Sequence, residues 1–505
     1  MTRIGPTRAP VRTPTIGVTA VLLLAAGWAT LAAGAGALLA RLATPADPVG
    51  WGALVVTACL IGLALLVGLR QLVLLLVSLT VRARPTPASA PMTGARVAIL
   101  YPTADDFRAD VVQRSARQTH ARTRTVVLDD SRLPETRARV AELEADGIEV
   151  HRRGSRSGAK AGNLNAWLRA HGHEVDHIVV LDADQEVDDS FVAGALARFA
   201  AHPEAAVVQG RIRSRDGDTS FARDFSGLFT RHADTKLAAR AVLGVVDFSG
   251  RGAMLDVAAL RDAGGFPEVV MEDTALTIEL ERRGWSIVAA PELVSIEDAP
   301  VDHTAFAVQF GKFAEGAVQL LVRSRRSLVD PRLRVRRRVD LALELLVPVL
   351  AALVPLALFA YSVVGAVTGI AAFPWQLGLP LALLSLVPLV PEALHRCRSR
   401  GLPAGIAFAV RASMLYASIG VVAARAVVAV AVSGRARFRI TPKERAGGSA
   451  TVVVRRRALE LTVAVLALAV AVLWAGRPEI AAPFVVIAAT ALAFGWRDAV
   501  GERLG

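Results

Sequence analysis

Long uninterrupted apolar runs are what this chain must first accommodate: Ile16 to Leu42, Trp51 to Thr80, Leu341 to Ile370, Phe373 to Leu394, Leu459 to Trp474 and Ile480 to Phe494. A helix of about 20 apolar residues crosses a hydrocarbon core of roughly 30 Å, and inside that core a helix satisfies every backbone polar group by itself. The first two runs form a hairpin. Arg3, Arg8 and Arg12 precede it and Arg82 and Arg84 follow it, so the excess of positive charge puts both ends in the cytosol. A cleaved signal peptide is the alternative for the first run, whose apolar stretch is long for such a signal. The next two runs, joined by a turn without charges, return to Arg396, Arg398 and Arg400. The last two are short and meet at Gly476-Arg477-Pro478-Glu479, a third hairpin. Gly405 to Val432 also has spanning length but carries Arg411 and Arg425. If it crossed, either the basic segment before it or Arg435 to Arg457 after it would face outward. A surface-lying or re-entrant helix is therefore expected, with six spans and both termini cytosolic.

Between the first and second hairpins the pattern changes. Pro85 to Gly94 is a linker, and beyond it short apolar strands such as Arg96 to Tyr101, Thr125 to Leu128 and His177 to Leu181 alternate with polar-faced helices. That alternation predicts an α/β domain with a mixed, mostly parallel sheet. The expected organisation is a transmembrane hairpin over 1–84, the linker 85–94, a cytosolic α/β domain over 95–303, and an interfacial helix with a basic segment over 304–338. A transmembrane hairpin over 339–395, the interfacial or re-entrant helix 396–433, a loop 434–457 and the last hairpin 458–497 follow. No regulatory module is expected after that hairpin, since the chain ends at Gly505. Thr304 to Leu321 puts Phe306, Phe310, Phe313, Ala317 and Leu320 near one helical face, which suits either the membrane surface or packing on the soluble domain.

The net charge of +13 raises the question of nucleic acid. The basic residues gather beside the apolar runs and aromatics make up only 5%, so flanks of membrane spans explain the charge and no nucleic-acid partner is expected. Cys59 and Cys397 read neither as a disulfide nor as metal ligands. Of 58 basic residues, lysine appears only at Lys160, Lys236, Lys312 and Lys443, which marks each as a candidate site for a compact ammonium.

The candidate chemistry lies at strand ends. Val179 to Leu181 runs into Asp182-Ala183-Asp184, two carboxylates able to hold a divalent cation against a pyrophosphate, although Asp-x-Asp alone is also a common solvated strand end. Val126 to Leu128 runs into Asp129-Asp130 at a second carboxyl end, where α/β domains bind ligands. Between them Gly158-Ala159-Lys160-Ala161-Gly162-Asn163-Leu164-Asn165 is a small-residue loop opening a helix, suited to bringing phosphate near backbone amides and an ammonium, or simply a helix start with Asn hydrogen bonds. Met271-Glu272-Asp273 opens a helix after Gly264-Gly265-Phe266; its carboxylates either complement the helix dipole or supply a general base.

In this order the motifs resemble the cellulose-synthase-like branch of glycosyltransferase family 2, from about Arg96 to Lys443. The resemblance implies a GT-A-like fold and a membrane-bound, metal-dependent, inverting hexosyltransferase in the plasma (inner) membrane. Its donor would be a nucleotide sugar of the UDP kind and its acceptor a growing polysaccharide or other glycan. It assigns Asp129 and Asp130 to the nucleotide, Asp182 and Asp184 to Mg2+ or Mn2+ and the diphosphate, Lys160 to the donor, and Asp273 to the catalytic base. The stretch beginning at Lys160 matches without departure. Gln309-Phe310-Gly311-Lys312-Phe313 stands where the family has Gln-x-x-Arg-Trp, which makes Gln309, Lys312 and Phe313 binding residues near the acceptor. Val246 to Arg251 stands where it has Phe-Phe-Cys-Gly-Ser. Phe438-Arg439-Ile440-Thr441-Pro442-Lys443 resembles the Phe-x-Val-Thr-x-Lys gating loop, with Thr441 and Lys443 toward the donor. Three lysines thus fall inside family motifs and Lys236 does not. Tyr101 to Asp106 departs from the family's Pro-Thr-Tyr-Asn-Glu, and Met271 replaces Thr. The rival expectations are a non-processive transferase acting on a lipid and a non-catalytic exporter or scaffold.

Overall fold

The computed structural model describes residues 15–42, 48–80, 92–217, 219–323, 325–368, 375–437, 439, 442 and 450–500. Its soluble part is an eight-stranded sheet built from β1 (Val97–Thr103), β2 (Thr123–Asp129), β3 (Glu149–His151), β4 (His177–Val180), β5 (Glu186–Val187), β6 (Ala205–Arg215), β7 (Ala253–Asp256) and β8 (Ser286–Asp298), in the order β3-β2-β1-β4-β7-β6-β8-β5. The first four strands of that order are parallel, β7 runs antiparallel between β4 and β6, and β6 pairs parallel with β8. The sheet is thus mixed and mostly parallel, as the alternation of strands and helices predicts.

Alternation along the strands explains why the sheet is covered on both sides. Val97, Ile99 and Tyr101 of β1 join one buried apolar cluster with Val127 and Val179, while Ala98 and Leu100 join another with Val126, Leu128 and Val180. Successive strand side chains point to opposite faces, so near-continuous apolar strands need a layer on each face. The registry Thr103↔Asp129 ends β1 and β2 level, while Leu100↔Val180 ends β4 earlier, so that the residues following β4 run on beside the carboxyl end of β1.

Among the described residues, six helices are long and apolar enough to cross a membrane: Pro48–Leu79, Val335–Thr368, Gln376–Arg400, Leu402–Ser433, Ala458–Ala475 and Pro478–Ala499. The chain is a multi-pass membrane protein. The first expected span is a single helix, Thr15–Leu42, with a shorter apolar window over Leu22–Leu38. The Leu402–Ser433 segment, bent at Ile419, qualifies by length and composition although a surface helix was expected there. Two of its polar side chains nevertheless meet the soluble domain. Arg411 pairs with Asp224 of the Ser220–Leu243 helix at 2.6 Å, and Ser418 bonds His303 at 2.7 Å.

The basic segment before the second hairpin also does more than flank a span. Arg337, 1% exposed, donates to the Val245 carbonyl at 2.9 Å and to Glu281 at 2.8 Å, and pairs with Asp247. Around it, Asp340 and Glu344 of the Val335–Thr368 helix receive Arg70 of the Pro48–Thr80 helix, each at 2.7 Å. Arg240 reaches Asp340 and Lys236 reaches Glu344, both at 2.7 Å and both from the Ser220–Leu243 helix. Lys236, the lysine outside every motif, is thus part of the junction between the soluble domain and the apolar helices.

Candidate active site

The β4 strand ends at Val180, and its continuation carries Asp182 to the edge of the sheet. Gly158, at φ +71°, starts the Ala159–His171 helix; a Cβ there would stand 2.6 Å from the Glu268 carboxylate, and one at Gly162 would stand 2.1 Å from the Ser157 carbonyl. Only glycine permits that close a turn. The turn delivers Lys160, whose Nζ donates to Asp182 Oδ1 at 2.6 Å and to the Gly250 carbonyl at 3.0 Å. Asn163 donates to the Leu128 carbonyl at 2.8 Å, and Asn165 exchanges two hydrogen bonds with Phe266, each 2.8 Å. The asparagines therefore lock the helix to β2 and to the turn that precedes Glu272 and Asp273.

Gly250, at φ +79°, closes the circuit, since a Cβ there would lie 3.3 Å from Asp273 Cβ and 3.4 Å from its Oδ2. Asp182, Lys160, the Gly250 carbonyl and Asp273 are thus contiguous. Arg251 approaches Asp182 Oδ2 at 3.3 Å and is held by Glu297 at 2.7 Å. Lys312 is close enough to feel Asp182 and Glu272 and lies 5.7 Å from the Phe313 ring. Phe313 itself is 40% exposed, so it departs from the buried face formed by Phe306, Ala317 and Leu320 on the His303–Arg323 helix. Gln309 Oε1 is buried with no hydrogen-bond partner.

The electrostatics follow from this crowding. Burial opposes ionisation of Asp182, but Lys160 and Arg251 outweigh it and hold the carboxyl well below the usual range. Burial pushes Asp273 up, against the Thr274 amide, Lys160 and Arg251. Burial, with Asp273 and Asp182 adding to it against Lys160, lifts Glu272 to about 7. Lys312 is pushed down by burial. Three cations (Lys160, Arg251, Lys312) meet five carboxylates (Asp182, Asp184, Glu272, Asp273, Glu297), which leaves an excess of negative charge. Among the described residues no group of three or more His, Cys, Asp or Glu side chains is assembled as a metal cage. A magnesium-type ion held by one or two carboxylates and by phosphate oxygens does not require such a cage.

Asp129 and Asp130 lie two strands from Asp182 at the same end of the sheet, each against its own arginine: Arg152 at 2.8 Å and Arg153 at 2.6 Å. Burial would raise Asp129, but hydrogen bonds from Ser131 and the Arg152 guanidinium keep it below its ordinary value. At the departure from the family pattern, Asp105 adopts φ +70° and accepts the Arg132 and Leu133 amides at 2.8 and 2.9 Å, so its carboxylate is spent on starting the next helix. Thr441 and Lys443 lie outside the described residues. The segment leading to them is tied to the site helix, because Glu315 accepts the Arg437 amide and the Arg439 guanidinium, both at 2.8 Å. Sequence reasoning did not pick out Arg152, Arg153 or Glu297; it named Glu272 beside Asp273 as a carboxylate able to supply a general base, and Arg251 only as the end of the Val246 to Arg251 segment. Arg152 and Arg153 carried a signal, an Arg-Arg pair directly after β3, beside the strand that ends in Asp129.

Residues 177–389, under half of the chain, match the model described as Glycosyl transferase family group 2, and they include Asp182, Asp184 and Asp273. Among curated relatives, the chain is 25% identical to Glucans biosynthesis glucosyltransferase H of Shewanella oneidensis over 320 residues, 55% of this chain and 42% of that protein. It is 27% identical to Glucomannan 4-beta-mannosyltransferase 2 of Arabidopsis thaliana over 208 residues, 38% of each chain. The match thus spans less than half the length of these relatives. Among solved structures, S. aureus TarS 1-349 aligns at 15% identity over 63% of this chain and 91% of that one, with a TM-score of 0.37.

Proposed function

We propose that the chain is an inverting hexosyltransferase that moves a sugar from a nucleotide-diphosphate donor of the UDP kind onto a growing glycan at the membrane face. The observation that carries this reading is the contiguity of Asp182, Lys160, the Gly250 carbonyl and Asp273. Asp273 takes the proton of the acceptor hydroxyl while that oxygen attacks the anomeric carbon from the face opposite the diphosphate. The bond from that carbon to the phosphate oxygen breaks, and the nucleotide diphosphate leaves with the bonding pair. A base with a raised pKa in a buried site is suited to that transfer. Lys160 faces the negative charge that develops on the leaving group. Asp182 and Asp184 would hold Mg2+ or Mn2+, whose contribution when bound is to neutralise diphosphate charge. The unpartnered Gln309 Oε1 and the exposed Phe313 suit an acceptor sugar, with the oxygen accepting from a hydroxyl.

The soluble domain is read as cytosolic from the basic flanks, and the Leu402–Ser433 segment as lying along the membrane face, because two of its polar side chains are turned to the soluble domain. Whether the glycan is extended repeatedly and passed through the membrane is decided by sizing the product made from labelled nucleotide sugars. A single sugar on a lipid would favour the non-processive reading. The decisive variant is Asp273→Asn. Nucleotide release should fall by at least about a thousandfold, as expected for losing a base made essential by the mechanism, while nucleotide binding stays within about twofold. Turnover at the unmodified rate would remove Asp273 from the mechanism.

A further inference from the structure

The loop around Arg251 is shaped to present it. It sits between Gly250 at φ +79° and Gly252 at φ +61°, and a Cβ on Gly252 would stand 2.4 Å from Ser295 Oγ. The loop is therefore pressed between Asp273 and β8, with only glycine fitting on either side of the arginine. Its guanidinium is fixed at three points: Glu297 takes Nη2 at 2.7 Å and also pairs with Nε, and the Ser249 carbonyl takes Nη1 at 3.2 Å. Nε then faces Asp182 Oδ2 at 3.3 Å, while Lys160 holds Asp182 Oδ1 at 2.6 Å. Each oxygen of Asp182 thus has its own cation, and the two cations come from different elements.

We propose that Arg251, anchored by Glu297, is a positioning residue that sets the orientation of Asp182 toward the donor's diphosphate. The inference rests on the family 2 reading of the site. A carboxylate hydrogen-bonded at one oxygen still rotates about its side-chain bonds; a guanidinium fixed beside the second oxygen, its Nε–H given to Glu297, favours one of those orientations through charge alone. Glu297 gives Arg251 its direction, because a guanidinium freed from its own carboxylate would turn both of its donors onto Asp182 and compete for its oxygens with a divalent cation that bridges to the diphosphate. Outer partners of a ligating carboxylate commonly matter about ten- to a hundredfold for affinity or rate.

The test uses the full-length chain in detergent, with calorimetric binding of UDP in the presence and absence of Mn2+, turnover of labelled UDP-sugars, and thermal unfolding. Arg251→Gln and Glu297→Gln should each weaken UDP binding in Mn2+ and raise donor KM by about tenfold or more, with acceptor-side KM within error of the unmodified protein and the loss of donor affinity the same in both variants whatever the fall in melting temperature of each. Arg251→Lys, which keeps the charge but loses the two-point grip of Glu297, should fall between. UDP affinity and donor KM within about twofold in all three variants would overturn the inference while leaving the family 2 reading intact, as would losses that simply track melting temperature. An unmodified chain that neither binds UDP nor turns over any donor would overturn both.

Discussion

Two charged clusters meet at the short connection from Val245 to Gly252, and they are built by opposite rules. At the membrane-facing end, Arg70, Lys236, Arg240 and Arg337 face Asp247, Glu281, Asp340 and Glu344, four cations with four carboxylates. At the other end, carboxylates outnumber cations around Asp182 and Asp273, and Glu272 is lifted to about 7. The first arrangement matches charges and holds two parts of the molecule together. The second leaves charge unmatched, which is what a site reserved for a cation, a diphosphate and a sugar hydroxyl requires. The difference teaches that a buried ion pair by itself is no mark of chemistry in this protein. The mark is the imbalance.

The comparison breaks most visibly through Arg337. Arg337→Ala strands Asp247, Glu281 and the Val245 carbonyl, and should cost about 3–5 kcal/mol of stability, read as a lower melting temperature in detergent. A melting temperature close to that of the unmodified protein would mean that the junction is not structural. Substitution in the other cluster should have the opposite sign. The raised pKa of Asp273 means that its ionised form opposes folding at neutral pH. Asp273→Asn is therefore expected to stabilise by about 1 kcal/mol while abolishing transfer, and equal destabilisation at both clusters would erase the contrast.

A third measurement concerns pH. If Asp273 must be ionised, the acid side of the activity profile rises through its elevated pKa. Removing the neighbouring negative charge with Glu272→Gln makes that ionisation easier, so the limb should move to lower pH. A shift upward, or none, would uncouple the two carboxylates. The smallest effect is expected at Lys236→Arg. It keeps a half-buried pair to Glu344 and should change stability by less than about 1 kcal/mol. A larger loss would show that the junction needs the compact ammonium that the scarcity of lysine suggests.

Much of the site was legible because its residues sit where local patterns change. Asp182 follows an apolar strand, Lys160 follows a glycine that opens a helix, and Asp273 opens a helix after a Gly-Gly turn; each leaves a trace within a few residues of sequence. Arg251 and Glu297 leave none. They are 46 residues apart, and their relation exists only because β7 and β8 flank β6 in the sheet. Phe313 shows the reverse failure: helical spacing put it with Phe306 and Leu320, yet it is exposed beside Lys312. Spacing gives an angle around a helix axis, while the neighbouring helices decide which arc of that axis is covered.

The apolar runs and the alternating strands, which follow from periodicity and from the cost of unsatisfied backbone in lipid, determine a membrane part and an α/β part without reference to any contact. Tertiary structure alone decided how the charges were shared between them. Arginines 337 and 411 read in the sequence as membrane flank and obstacle to spanning, and both proved to be tied to carboxylates or carbonyls of the soluble domain. A side chain's charge is local, but the partner that satisfies it is set by which elements pack together. That information is spread over the whole chain.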